Sequence, residues 1–119
     1  MSPPNRHYTI NYIEFPSTDK VTLEAAKTFY GEVFGWRFRD WGDSYAESDS
    51  AGPGIGFDAS RERVDSPLAV IYAEDLLKAY VSVQVAGGNI SREIFDFPGG
   101  RRFHFVDPAG NELAVWSDK

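Results

Sequence analysis

The sequence predicts an α+β protein built from two copies of one β-α-β-β-β unit. Three observations predict it. An amphipathic stretch ends on glycine twice, at Gly35 and Gly87, 52 residues apart. A strand-like run precedes each stretch, and short runs separated by turn residues follow it. A period near fifty residues marks an internal repeat, and two copies are too few for a solenoid or propeller. A pseudo-symmetric pair of curved sheets is therefore expected. The organisation read from this is one domain over residues 1–119: module one at 7–60, a linker at 61–66 and module two at 67–118.

Residues 1–6 read as a flexible arm. His7 to Phe15 is rich in aromatic and β-branched residues and stops at Pro16, the pattern of a strand. Alternation puts Ile10, Tyr12 and Glu14 on one face and Thr9, Asn11, Ile13 and Phe15 on the other. Asp19 or Thr22 suits the cap of the helix that follows. From Leu23, apolar residues recur at Ala26, Phe29, Tyr30, Val33 and Phe34, the spacing of one helical face. Gly35 stands where a helix ends in the left-handed region, which glycine enters without steric penalty. Trp36, Phe38 and Trp41, with charged residues between them, predict a strand. After the turn Asp40–Asp43 come short strands at Ser44–Ser48 and Ile55–Phe57. The interior Gly56 marks a bulge or a close backbone approach.

The charged stretch Ala59–Ser66 reads as an exposed linker, and Leu68–Ala73 as a buried strand. The segment around Leu76–Val85 fits two periods. Val81, Val83 and Val85 alternate as in a strand, whereas Leu76, Leu77, Tyr80, Val81 and Val83 share a helical face. Asp75 as cap, Gly87-Gly88 as stop and the layout of the first half decide for a helix. Asn89–Phe97 is the next strand and Pro98-Gly99-Gly100 a turn. In the strand Arg101–Val106, Phe103 and Phe105 lie opposite Arg102 and His104. Asp107–Asn111 is a dense turn signal, and Glu112–Trp116 is the last strand.

At 119 residues and 15% aromatic content the chain can bury roughly two thirds of its unfolded surface. A net charge of -6 disfavours nucleic acid and anionic membrane surfaces as partners. The complete lack of cysteine excludes disulfides, thiolate ligands and cysteine nucleophiles. Met1 to His7 lacks the apolar run of a signal peptide, and no segment is apolar over a length that spans a bilayer. The expectation is a cytoplasmic protein. Gly54-Ile55-Gly56 and Pro98-Gly99-Gly100 have neither the lysine of a phosphate loop nor dinucleotide-binding spacing.

Three segments resemble the glyoxalase / bleomycin-resistance / extradiol-dioxygenase group, the vicinal oxygen chelate superfamily. Ile10 to Asp19 resembles its first strand and loop, Phe29 to Trp36 its helix end, and Asp107-Pro108-Ala109-Gly110-Asn111 its final turn. The resemblance implies that the two modules form a curved, U-shaped mixed sheet with helices on the outside, around a small-molecule cavity, in a homodimer. It also implies a divalent metal held by His, Glu or Gln near the start of each module and on each last strand. Carried over position by position, those ligands fall on Tyr12, near Ala69, near Gly56 or Phe57, and on Ala114. None is a usual ligand. No metal-ligating residue and no cofactor is predicted, and a divalent metal finds no support at these positions.

By alternation from those positions, Tyr12, Glu14 and Ile10 face the cavity from the first strand, and Glu112, Ala114 and Trp116 from the last. Glu14 and Glu112 are the candidate catalytic residues, because burial of a carboxylate pair raises one pKa into the range of acid/base work. The competing reading places each carboxylate at a solvated rim. Tyr12, Phe57, Tyr72, Ala114 and Trp116 are the candidate ligand pocket, an apolar wall with a polar anchor. The competing reading of each aromatic is plain core. His104 is expected as a strand-surface residue and Arg101-Arg102 as a solvated edge. The function that follows is binding of a small molecule in the concave cavity without the usual metal. The alternative is a lyase/isomerase-like or dioxygenase-like enzyme. It would use an unusual metal site drawn from Glu14, Glu47, Glu112 or His104, or carboxylate acid/base chemistry.

Overall fold

The computed structural model describes residues 5–119; of the arm expected over residues 1–6, residues 1–4 lie outside them. The elements run β1 (Thr9–Pro16), α1 (Lys20–Phe34), β2 (Arg39–Asp40), β3 (Tyr45–Ser48), β4 (Gly54–Asp58), β5 (Leu68–Tyr72), α2 (Leu76–Val85), β6 (Asn89–Phe97), β7 (Gly100–Val106) and β8 (Glu112–Ser117). This is the α+β class and the repeated β-α-β-β-β order predicted from the sequence. The chain divides into two compact units, residues 12–68 and residues 5–11 with 69–119.

In the first unit the strand order is β2-β3-β4-β1. β1 runs parallel to β4, while β3 pairs antiparallel with both β4 and β2. Helix α1 starts at a reciprocal cap. Asp19 accepts from the Thr22 backbone N–H at 2.8 Å, and the Thr22 hydroxyl oxygen accepts from the Asp19 N–H at 3.2 Å. It ends at Gly35, φ 72°, the left-handed residue expected there.

Leu23, 1% exposed, anchors α1 over Ala46, Ile55 and Phe57, with Ala26 and Tyr30 packed against them. The apolar face is narrower than the sequence suggests. Phe29, Val33 and Phe34 are more than half exposed. The stripe of Leu23, Ala26 and Tyr30 meets the sheet, so Phe29 and Val33 fall on its flank and Phe34 caps the last turn. The strand expected from Trp36 shrinks to Arg39–Asp40. Trp36 instead stacks on Tyr30 at 5.0 Å and 8°, folding the chain back against the helix end.

The second unit repeats the topology as β5-β8-β7-β6, with β5 parallel to β8 and the remaining pairs antiparallel. The ambiguous segment is helix α2, capped by Asp75, which accepts from the Lys78 N–H at 3.0 Å. Tertiary burial of Leu76 and Ala79 against Phe103 and Val115 selects the helical period over the strand-like one. In β6 the register slips twice, between Ile90 and Arg92 and again between Arg92 and Phe95. Each slip is a β-bulge, which breaks strict alternation. No helix among the described residues is long and apolar enough to cross a membrane.

Candidate functional site

The sheet face turned away from each helix carries the polar residues, and alternation explains how they are gathered. In the first unit, Glu14 pairs in register with Gly56 and Gly56 with Glu47, so the three form one row across β1, β4 and β3. Tyr12 and Tyr45 lie two residues along their strands on the same face. Glu14 is only 7% exposed. Its Oε2 accepts a hydrogen bond from the Tyr45 hydroxyl at 2.8 Å, and the two tyrosine hydroxyls are 2.6 Å apart. Tyr45 has one hydroxyl proton and gives it to Glu14, so Tyr12 donates to Tyr45. Burial, with the Glu14 charge next in weight, pushes the Tyr45 pKa far up. Tyr45 therefore stays a donor, and the chain of bonds runs from Tyr12 through Tyr45 to Glu14.

Gly56 makes this chain sterically possible. A Cβ built there would overlap the hydroxyl oxygens of both Tyr45 and Tyr12. Because β4 pairs without a register slip on either side, the interior glycine marks a close approach and not a bulge. Phe57, one residue on, points to the helix side. It is 5% exposed and packs against Phe15, Tyr30 and Phe38. Of the expected site residues, this unit therefore brings Glu14 and Tyr12 together and sends Phe57 into the core.

In the second unit the same face holds Arg102 and His104 on β7 and Glu112, Ala114 and Trp116 on β8. Register pairs join Arg102 with Trp116 and His104 with Ala114. The two bulges in β6 place Ser91, Arg92 and Phe95 there as well. Ser91 donates to Glu112 Oε2 at 2.9 Å, the Arg92 guanidinium lies 3.6 Å over the Phe95 ring, and Arg102 is 5.6 Å from that ring. Strict alternation would separate Arg92 from Phe95.

His104, expected on the surface, is 2% exposed. It does lie opposite Phe103, but Phe95, Arg102 and Glu112 pack over it, so leaving the helix-side core does not mean reaching solvent. Arg102 likewise is not a solvated edge. Its Nε and Nη2 reach His104 Nε2 at 3.3 and 3.0 Å. A guanidinium can only donate, so Nε2 accepts and the imidazole proton sits on Nδ1. Nδ1 then donates to Glu112 Oε2 at 3.3 Å. Burial above all, then the Arg102 charge, holds the His104 pKa below its ordinary value, and Glu112 opposes this. The neutral imidazole links a carboxylate to a guanidinium.

Tyr72, 3% exposed, donates its hydroxyl proton to Asp118 at 2.6 Å and meets Trp116 edge-on at 5.1 Å. Trp116 donates through Nε1 to Asn11 Oδ1 at 3.1 Å. Ala114 is wholly buried. Glu112, Tyr72, Ala114 and Trp116 thus share one unit, with Glu112 already held by His104 and Ser91.

Sequence reading missed Tyr45, Arg92, Phe95 and the joint role of Arg102 and His104. An Arg-x-His pair on one strand face, with Glu112 just across the Asp107–Asn111 turn, was the available signal. On the opposite face of this sheet, a cleft of about 250 Å³ runs beside α2, lined by Tyr8, Ile71, Ala79, Val83, Phe105 and Val115 among others.

Among the described residues no three His, Asp or Glu side chains converge as metal ligands. Ala114 offers no donor atom, and His104 has one ring nitrogen facing a guanidinium.

Solved structures share the fold at low identity. A Mn(II)-bound glyoxalase from Novosphingobium aromaticivorans is 22% identical with a TM-score of 0.67; the alignment covers 97% of this chain but 40% of that one. Methylmalonyl-CoA epimerase from Mycobacterium tuberculosis is 13% identical, TM-score 0.66, with 98% and 92% covered. A glyoxalase/bleomycin resistance protein/dioxygenase superfamily member from Vibrio splendidus 12B01 is 14% identical, TM-score 0.68, with 92% and 99% covered. No curated protein matches by sequence. The family model for the Glyoxalase/Bleomycin resistance protein/Dioxygenase superfamily matches residues 9–115, and the chain belongs to that superfamily.

Proposed function

We propose that this protein binds a small organic molecule on the helix-free sheet face of its second unit, and does so without a divalent metal. One observation carries the reading. Where a last-strand metal ligand is expected stands the buried methyl of Ala114, and its register partner His104 joins Glu112 to Arg102. Tyr72 and Trp116 supply apolar wall beside these polar groups, the composition of small-molecule sites. The test is elemental analysis of the purified protein together with a thermal-shift screen of metabolites. The expected result is metal at trace level and a saturable stabilisation by one ligand class. Stoichiometric Zn, Ni, Mn or Fe would overturn it.

The buried Glu14 supports a second reading, acid/base catalysis in the first unit. A carboxylate at 7% exposure, fed by two tyrosine hydroxyls in series, is arranged to take up or release a proton at Tyr12. Glu112, exposed on one side and bonded to His104, is the weaker catalytic candidate. Glu14→Gln and Glu112→Gln separate the two roles once a turnover assay exists. Full activity in both variants removes carboxylate catalysis.

A further inference from the structure

We infer that the apolar cleft beside α2 is a second binding site, one that takes an uncharged, single-ring aromatic compound against the ring of Tyr8. It lies on the opposite face of the sheet from the surface proposed above and does not depend on that reading.

The void has a cause in the sequence. Ala79, Ser82 and Val83 form one face of α2, since residues three and four apart stand together on a helix. Opposite them lie Ile71 and Val115, paired in register across β5 and β8, with Phe105 from β7. Toward the start of the helix Leu76 packs with Phe103 and the core closes. Where the helix face turns to the small side chains of Ala79 and Ser82, about 250 Å³ stays unfilled. Protein interiors are otherwise packed with few voids, so space of this size is an exception.

The lining sets the ligand. None of its described residues is charged, and apart from Ser82 and the tip of Tyr8 it is apolar. A neutral ligand matches it, because a carboxylate or ammonium there would lose water without gaining a counter-charge. An apolar cavity of about 150 Å³ holds benzene, so this space takes one ring with a small substituent. The hydroxyls of Ser82 and Tyr8 can each donate a hydrogen bond to that substituent or accept one from it.

Tyr8 turns the void into a site. At φ 61° it is, among the described residues, the only non-glycine in the left-handed region, where a bulky side chain is strained. Bonds on both sides hold it there. The Tyr8 N–H donates to the Tyr72 carbonyl at 2.7 Å, and the Thr9 N–H and hydroxyl donate to the Arg6 carbonyl at 3.2 and 2.7 Å. His7 accepts from the Glu74 N–H at 3.0 Å through Nδ1 and stacks on the Tyr8 ring at 3.7 Å. Yet the ring so fixed is 52% exposed, so core burial does not account for the strain. A ring pre-set at the rim of an apolar cleft does, because it gives a planar ligand a face to stack on. Strained residues of this kind cluster at ligand clamps.

The probe is phenol, titrated into the purified protein and followed by two-dimensional NMR, with benzoate as its charged counterpart. Phenol should bind saturably and shift the amide signals of Ile71, Val83 and Val115. Benzoate should be weaker by at least about tenfold, since its charge finds no partner. Tyr8→Gly removes the ring and accepts a positive φ without strain, so it should stay folded and weaken phenol by about tenfold. Val83→Phe should weaken phenol as much by filling the space; if that variant unfolds, Tyr8→Gly carries the test. No saturable phenol binding, equal binding of benzoate, or undiminished binding in Tyr8→Gly overturns the inference. An unfolded Tyr8→Gly protein overturns it as well, because the ring would then serve the fold. So do phenol-dependent shifts centred on His104 and Ala114, which would place the ring on the helix-free face. A metal found in the protein bears on the other reading alone.

Discussion

Gly56→Ala tests whether the tyrosine pair in the first unit depends on the missing side chain. A methyl group at this position overlaps both hydroxyl oxygens and comes within 2.6 Å of Tyr45 Cζ. A tyrosine ring has little freedom to bend away, and both hydroxyls are fixed by bonds to each other and to Glu14. Overpacking of this kind costs about 1–3 kcal/mol. Displacing Tyr45 also strips a donor from a nearly buried carboxylate, another 1.5–3 kcal/mol or so. The sum, about 2.5–6 kcal/mol, is a large part of the roughly 5–15 kcal/mol that holds a domain together.

In a chain of this size it corresponds to a fall in Tm of roughly 10–25 °C. Guanidinium chloride unfolding gives the free energy directly. The control is Tyr45→Phe, expected to cost about 1–3 kcal/mol by itself. Phenylalanine has no hydroxyl to overlap the new methyl, so the double variant should be less destabilised than the sum by about 1 kcal/mol. A Gly56→Ala protein within about 0.5 kcal/mol of the parent, or a strictly additive pair, would refute the reasoning.

Two further outcomes follow from burial. The folded protein holds His104 below the ordinary histidine pKa of about 6.5, so as pH falls past that value the unfolded chain binds protons that the folded one does not. Stability present above this pH is therefore lost on acidification toward the folded pKa. Denaturant midpoints measured from pH 8 to pH 5 should show the fall, and His104→Gln should flatten it; an equally steep curve in the variant argues against the assignment. Phe103→Ala should cost about 3–5 kcal/mol, since the ring is wholly buried and meets Tyr80 edge-on at 5.3 Å, whereas Phe29→Ala, at 54% exposure, should cost under about 1 kcal/mol by the same unfolding assay.

The order of elements was legible because each stop and cap is a local event. Asp19, Gly35 and Asp75 act within one turn of chain, and their signals survive folding unchanged. Gly56 was legible in part: its sequence context marked a close approach but not the two hydroxyls that make it. Alternation put Glu14 and Tyr12 on one face of β1, and both side chains reach Tyr45 from it.

Alternation also explains the failures. It holds only where the register is even, and β6 slips twice, so nothing in Asn89–Phe97 reveals that Ser91, Arg92 and Phe95 share a side. The burial of His104 likewise depends on residues from two neighbouring strands. Sequence periodicity reports which face a residue takes, not what is laid over that face. Tyr45 escaped because its partner Glu14 lies 31 residues away.

The irregular course of β6 has a bearing on solubility as well. This strand is nine residues long and forms the outer edge of the second unit's sheet order. A straight edge of that length would present a ready template for another chain to pair with. Two slips in spacing twist the strand out of a flat ladder, and exposed Glu93 and Asp96 put like charges along it. The same distortion that turns Arg92 and Phe95 to one side thus makes the edge a poor partner for its own copies. Straightening β6 by removing one residue at each slip is expected to make the edge more prone to strand-to-strand assembly.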